Sequence, residues 1–478
     1  MRRVNVPVVA QSPFNYRVTD GAVAAVSLLV SVLAGVALVT SPALALLPIA
    51  CFLSAFLLVD GRARIVFVLF GGLLILQRDE GLDTSKLAFL AVFGVAFVGA
   101  FLNVHSMRAT PAYRLAKPLL VASIAFVGLA TLSLAVAYTN DTPLVGAWLR
   151  DAAPQLLFAS APIFALDAQA SLSRRRLVQL LVAAGTFAAF AFAVHWLNRR
   201  GIADLRASRI GLASHFVPAA LFAYGMSAVL HGRRTKWLGV SGLVLALLLA
   251  TGTRTNLVLL FAPIGIAVGA RPHLLRRSMR LAILGPVAVA ITLLLGAAVL
   301  RASDANAEYF ENRVAIFRSS GTESDGSYVE RLRQGRAAWT VFESNPLLGA
   351  GPGTIFEYET VDRRTYSAFL LDTPLTFPAK YGLIGLLVLA FIVSKYWSFT
   401  RSLLRRRDPT IAYFTLVGYL SVVAASAIFY SPFEDKGFGF GLILVLALAL
   451  GEANRSSAAM GSDPSRIDNG LPEGIRTS

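Results

Sequence analysis

A chain of 478 residues that is 56% hydrophobic and only 15% charged is too apolar for a water-soluble globular domain, so composition alone places it in a membrane. The formal charge of +17 does not point to nucleic acid, because the basic residues come in short clusters between apolar runs and form no continuous stripe. One cysteine, Cys51, inside an apolar run, excludes an intrachain disulfide and a cysteine metal cluster.

A bilayer core takes roughly 20 apolar residues per helix. In chain order the runs that meet or approach this are 21–40, 42–59, 65–77, 87–104, 118–138, 152–168, 177–197, 211–230, 237–251, 255–270, 281–300, 376–399, 411–430 and 437–450. The expected fold class is an all-α polytopic membrane protein of about 14 transmembrane helices. The first run is long and lacks a small-residue cleavage site, so it reads as a retained helix and not a signal peptide.

Lys and Arg set the orientation, because loops rich in them stay cytoplasmic. From an N-terminus bearing Arg2, Arg3 and Arg17, every second loop carries a cluster: Arg62 and Arg64; Arg108, Arg114 and Lys117; Arg174, Arg175 and Arg176; Arg233, Arg234 and Lys236; Arg271, Arg276, Arg277 and Arg280; Arg401, Arg405, Arg406 and Arg407. Both termini are then cytoplasmic. The chain divides into a cytoplasmic N-terminus (1–20), N-terminal membrane helices (21–205), a second helical group (206–300), one large extracytoplasmic loop between helices 11 and 12 (301–375), C-terminal helices (376–450), and a Ser-, Gly- and Pro-rich tail expected to be disordered (451–478).

Three features oppose the charge rule. Arg199, Arg200, Arg206 and Arg209 fall outside, as does Arg254 in the turn "TGTRT", and as does the segment 301–375, where the acids concentrate. That segment is far longer than a helix connection needs, and long structured loops tend to carry function. It is expected to hold a small helical subdomain. Within it, Ser327 and Glu330 have capping-box spacing, and a helix is predicted through Trp339 to about Ser344, stopping before Pro346. Leu332, Trp339 and Phe342 give this helix an apolar side, and Arg333 and Arg336 share a neighbouring face. Gly349, Gly351 and Gly353 in "GAGPG" permit a tight turn.

"RLRQGRAAWTVFESNPLLGAGPGTIF", followed by "LDTPLTFPAKYGLIGLLVLAF", resembles the O-antigen ligase and polymerase family of bacterial envelope glycosyltransferases. "TGTRT" is similar to that family's upstream arginine turn, and "RIGLASHFVPAALFAYG" to an earlier family segment, so the resemblance covers roughly 206–450. It implies an enzyme that takes a glycan from a polyprenyl-pyrophosphate donor at the outer leaflet of the cytoplasmic membrane and joins it to an acceptor glycan or lipid, with no metal, cofactor or nucleic acid. A chain-length regulator or a flippase would be the protein partners, and the phospholipid bilayer the surroundings.

The resemblance also implies roles for residues. Arg254 and Arg331 would clamp the pyrophosphate, because a guanidinium fork binds phosphate oxygens in pairs and stays protonated. Arg336, Arg333, Arg209, Glu330 and Gly351 would line the substrate. The family's ligase branch usually has a histidine as base; the aligned residue here is Asp372, and none of His105, His195, His215, His231 and His273 falls in that stretch. Aspartate there resembles the polymerases, so polymerase is placed first, ligase second, and Asp372 takes the base role with Glu330 in reserve. Structural alternatives stand beside each: Arg254 anchoring a helix end at lipid phosphates, Arg331 and Arg336 pairing with Glu330 or Glu343, and Asp372 capping the next helix. A transporter of lipid-linked glycans is the rival from another class, but transporters place ionisable groups near mid-membrane, whereas these apolar runs are nearly free of charge.

Overall fold

The computed structural model describes residues 53–76, 84–139, 145–200, 216–232, 237, 239–244, 259, 261–268, 326–359, 364–367, 373–404, 410–429, 431, 433 and 435–461. In order these form α1 (Gly61–Val66), a π-helical turn (Phe67–Gly71), α2 (Gly72–Ile75), α3 (Thr84–Ser106), α4 (Pro111–Thr139), α5 (Val145–Ser171), α6 (Arg174–Arg200), α7 (Phe216–Leu230), α8 (Phe261–Val268), α9 (Gly326–Ser344), β1 (Phe356–Glu359), β2 (Arg364–Ser367), α10 (Thr376–Leu404), α11 (Ile411–Phe429) and α12 (Lys436–Gly461). Five helices are long and apolar enough to cross a membrane among the described residues: Lys86–Ser106, Pro111–Thr139, Thr376–Leu403, Ile411–Ile428 and Gly437–Asn454. The chain is a helical membrane protein. The predicted runs 21–40 and 281–300, with most of 42–59 and 237–251, lie outside the described residues.

Local chemistry starts these helices where polar residues precede apolar runs. Asp60 accepts the Arg62 N–H at 2.8 Å ahead of α1. Thr110 accepts the Tyr113 N–H at 3.2 Å ahead of α4, whose first residue is Pro111, where a missing N–H costs nothing. Burial then sorts the helices by depth. α12 is apolar on every side through Leu442–Leu450 and is enclosed, whereas α3 and α10 keep exposed stripes such as Val98, Phe101 and Leu102, and Leu387, Val393 and Trp397, suited to lipid.

α5 packs against α1, α3, α4, α6 and, most extensively, α12. It also carries the most buried polarity, with Asp151, Gln155 and Asp167 each 2% exposed or less. Sixteen residues of helix separate the two aspartates, so they sit about 24 Å apart, near opposite ends of the bundle.

At one end, Asp167 is held by Arg64 through two parallel bonds, Nε to Oδ2 at 2.9 Å and Nη2 to Oδ1 at 2.8 Å. Arg64 Nη1 donates to the Leu57 and Leu58 carbonyls, both at 2.9 Å, and Asn103 Nδ2 adds a 2.6 Å bond to Asp167. Nearby, Arg62 Nε donates to the Ser171 carbonyl and Arg174 pairs with Glu452 at 2.9 Å. Arg64 and Asp167 are 2% and 0% exposed, so the bidentate pair with its extra bonds is a closed structural lock tying α1, α3 and α5. Asn103→Ala is expected to lower stability by about 1.5–2 kcal/mol, the worth of one hydrogen bond to a charged group; the unfolding midpoint in detergent at fixed scan rate checks this.

At the other end lie α9 and the two strands. α9 stops at Ser344, before Pro346, as its sequence predicts, but begins at Gly326, so that Ser327, expected to cap it, is already its second residue. The expectation of a purely helical subdomain is corrected here. "FEYE" alternates Phe356 and Tyr358 with Glu357 and Glu359, a period-two pattern, and pairs antiparallel with "RTYS" in the register Phe356↔Ser367 to Glu359↔Arg364. The apolar side of α9 also differs from the expectation. Leu332 and Trp339 are about half exposed, while Ala338, with Ala337, Val341 and Phe342, packs on Phe356 and Ala379. Small residues face inward because α9 lies close to β1 and α10; Trp339 instead stacks near Phe342 and donates to Glu343 at 2.6 Å.

Candidate functional site

Two segments quoted for their resemblance, the glycine turn and "PAKYGLIG", meet through main chain. α10 is broken near the end of its second turn: Gly382 has φ 60° and ψ −161°, a conformation open essentially to glycine alone. The break strands carbonyls and amides that a continuous helix would pair with each other. The glycine turn takes four of them. Ala350 N–H donates to Ala379 O at 2.9 Å and Gly351 N–H to Lys380 O at 3.0 Å; in return Leu383 N–H donates to Pro346 O at 2.8 Å and Ile384 N–H to Leu347 O at 3.1 Å. Gly349 (φ 72°) and Gly351 (φ 88°) bring the turn this close.

This joint fixes the Lys380 side chain, which is 1% exposed, against the start of α5. Lys380 Nζ lies 3.0 Å from Asp151 Oδ2 and 5.9 Å from the centre of the Phe356 ring. The same Oδ2 accepts the Gly353 N–H at 2.7 Å, and Oδ1 accepts Arg150 Nε at 2.8 Å. One helical turn deeper, Gln155 donates to the Tyr381 hydroxyl, making a second polar rung between α5 and α10. An aromatic floor closes the rungs from beneath: Phe377 and Tyr381 rings are 4.9 Å apart, and Phe433 lies within 6 Å of Phe377, Phe126 and Phe158. Water is kept from the inner side, so charges at this rim act at short range with little screening.

Of the residues predicted from sequence, Gly351 is in this joint. Arg331, Arg333, Arg336 and Glu330 ride on α9, which packs against the same end of α10. Arg333 Nη1 donates to the Glu359 carbonyl at 2.9 Å, tying α9 to the ribbon; Arg336 is exposed and Arg331 partly buried. Glu330 is exposed and accepts from Gln334 at 3.4 Å. Asp372, Arg254 and Arg209 lie outside the described residues, and so does any contact they make. Sequence reasoning missed Arg150, Asp151, Gln155 and Lys380. A signal existed, since Lys380 is an ionisable residue within the apolar run 376–399, and such residues mark sites by default.

Among the described residues no three His, Cys, Asp or Glu side chains gather at metal-binding distance. What the rim offers is two cations sharing one carboxylate, with main-chain amides close by, an arrangement suited to an anion. No family model matches the chain, and no curated protein matches it significantly.

Proposed function

We propose that the chain is a polysaccharide polymerase-type glycosyltransferase working at the outer face of a bacterial cytoplasmic membrane on a polyprenyl-pyrophosphate-linked glycan. The observation that supports this reading is the meeting, at one end of the bundle, of the glycine turn, the broken helix that follows it and the arginine-bearing α9. A lipid-anchored diphosphate lies at headgroup depth, and in this reading the end of the bundle that carries the joint faces that depth. Surface chemistry there needs fixed cations and no path through the membrane.

In the proposed step, an acceptor sugar hydroxyl attacks the donor's anomeric carbon. The bond from that carbon to the pyrophosphate oxygen breaks, its electron pair leaves with the diphosphate, and the hydroxyl proton passes to Asp372. Arg254 and Arg331 stabilise the charge developing on the leaving group, because donors already in position spend nothing on reorganisation. Arg336, Arg333, Arg209, Glu330 and Gly351 complete the substrate surface.

The experiment incubates purified full-length protein in nanodiscs with a polyprenyl-pyrophosphate oligosaccharide, with and without acceptor. Longer glycans together with released polyprenyl pyrophosphate are expected. Arg331→Ala is expected to lower turnover at least tenfold while leaving the protein folded, the loss typical of one charge-stabilising donor. Transfer of a single unit to a lipid acceptor would reassign the chain to ligase chemistry. Movement of the donor between leaflets without a new bond would replace the enzyme with a transporter.

A further inference from the structure

Past its break, α10 carries one exposed apolar stripe. Leu383, Leu386, Leu387, Val393 and Trp397 are all exposed and fall within about a third of the helix circumference. In a helix long and apolar enough to cross a bilayer, such a stripe is the side that lipid covers.

The stripe does not end with the helix. Leu383 and Ile384 donate their N–H groups to the Pro346 and Leu347 carbonyls at 2.8 and 3.1 Å, so the turn after α9 is bonded at the stripe's first residue. Two further leucines are left uncovered there, Leu347 at 65% and Leu348 at 41% exposure. Their main chain suits apolar surroundings: Pro346 has no N–H, and the carbonyls of 346 and 347 are both taken by α10.

Depth along α10 points the same way. Arg401, exposed in the last turn, belongs at a headgroup level. From Arg401 back to Leu383 the helix is about 27 Å long, against about 30 Å for the hydrocarbon core, so the opposite border of that core falls at the level of the joint.

We propose that Leu347 and Leu348 are seated among the phospholipid acyl chains at the edge of the hydrocarbon core, and that they fasten the glycine turn to the membrane surface. The inference needs no glycosyltransferase activity and stands or falls without it. Neither leucine side chain holds the joint, which is made of peptide groups, so changes there report on surroundings and not on folding.

The sole cysteine, Cys51, is replaced by serine, and Leu347→Cys and Leu348→Cys are each labelled with a nitroxide in full-length protein. Leu387→Cys, about 6 Å deeper along the axis, and Glu357→Cys, exposed on the ribbon, serve as lipid and water references. In phosphatidylcholine and phosphatidylglycerol nanodiscs, relaxation by oxygen, which dissolves in hydrocarbon, is compared with relaxation by a water-soluble nickel chelate. The oxygen-to-nickel ratio at 347 and 348 is expected severalfold above that at 357 and below that at 387. A ratio at both positions equal to that at 357 overturns the proposal. Labels shielded from both reagents overturn it too, because a second copy or another segment of the chain then covers the leucines. The two sites are independent, so one variant that fails to fold leaves the other to decide. Failure of both to fold would make the leucines part of the fold, and the proposal would be lost.

Discussion

Asp151→Ala is expected to be among the most damaging single substitutions in the described structure. It would leave Lys380, 1% exposed, and Arg150 without their shared carboxylate, and the Gly353 N–H without its acceptor. Removing one partner of a buried ion pair costs about 3–5 kcal/mol, a large share of any membrane protein's margin. The measurement is the monodisperse fraction after detergent extraction and the unfolding midpoint of what remains. Asp151→Asn keeps an acceptor for Gly353 and should fall between the two. Replacing both members, Asp151→Leu with Lys380→Met, should recover part of the lost stability, because the enclosed ammonium goes with its carboxylate and only Arg150, 18% exposed, and the Gly353 N–H are left without it. An Asp151→Ala protein with an unchanged midpoint would refute the assignment of this cluster as buried and mutually dependent.

Gly382→Ala is expected to be comparably severe for a different reason. Its backbone conformation is closed to side-chain-bearing residues, and an added Cβ would overlap the Leu347 carbonyl and the Gly349 amide. Relief requires separating the turn from α10, which breaks four main-chain hydrogen bonds. Strain and lost bonds together put the cost at about 3 kcal/mol or more. Gly335→Ala is the control. A Cβ there meets only Thr373 Oγ1 at 3.7 Å and Leu375 Cδ1 at 4.0 Å, inside a regular helix, so it should stabilise by about 0.5–1 kcal/mol. The two variants, compared by midpoint under one protocol, should move in opposite directions.

The sequence made five membrane-length helices legible and the site only partly so. Apolar runs marked α3, α4, α10, α11 and α12, because a helix long enough to cross a bilayer must be apolar over most of its length whether it faces lipid or its neighbours. The end of α9 was visible in Pro346, since stop signals are local, and its start was legible to within a residue or two of Ser327. The inward face of α9 was not: Ala338 packs inside and Leu332 outside because neighbours close enough to demand a small residue are tertiary facts. The Asp151 cluster was hidden for a similar reason. Its members come from the N-terminal parts of α5 and α10, and nothing in either stretch announces the other. The ribbon was readable in the alternation of Phe356, Glu357, Tyr358 and Glu359, but four residues are a short sample of any period.

The joint between the glycine turn and α10 is spelled entirely in peptide groups, so no side chain at 347, 348 or 355 enters its grammar. Those positions, all exposed, are open to diversification while the frame around them holds still. A scaffold of this kind lets evolution, or a designer, rewrite what the rim greets without re-solving how the protein folds.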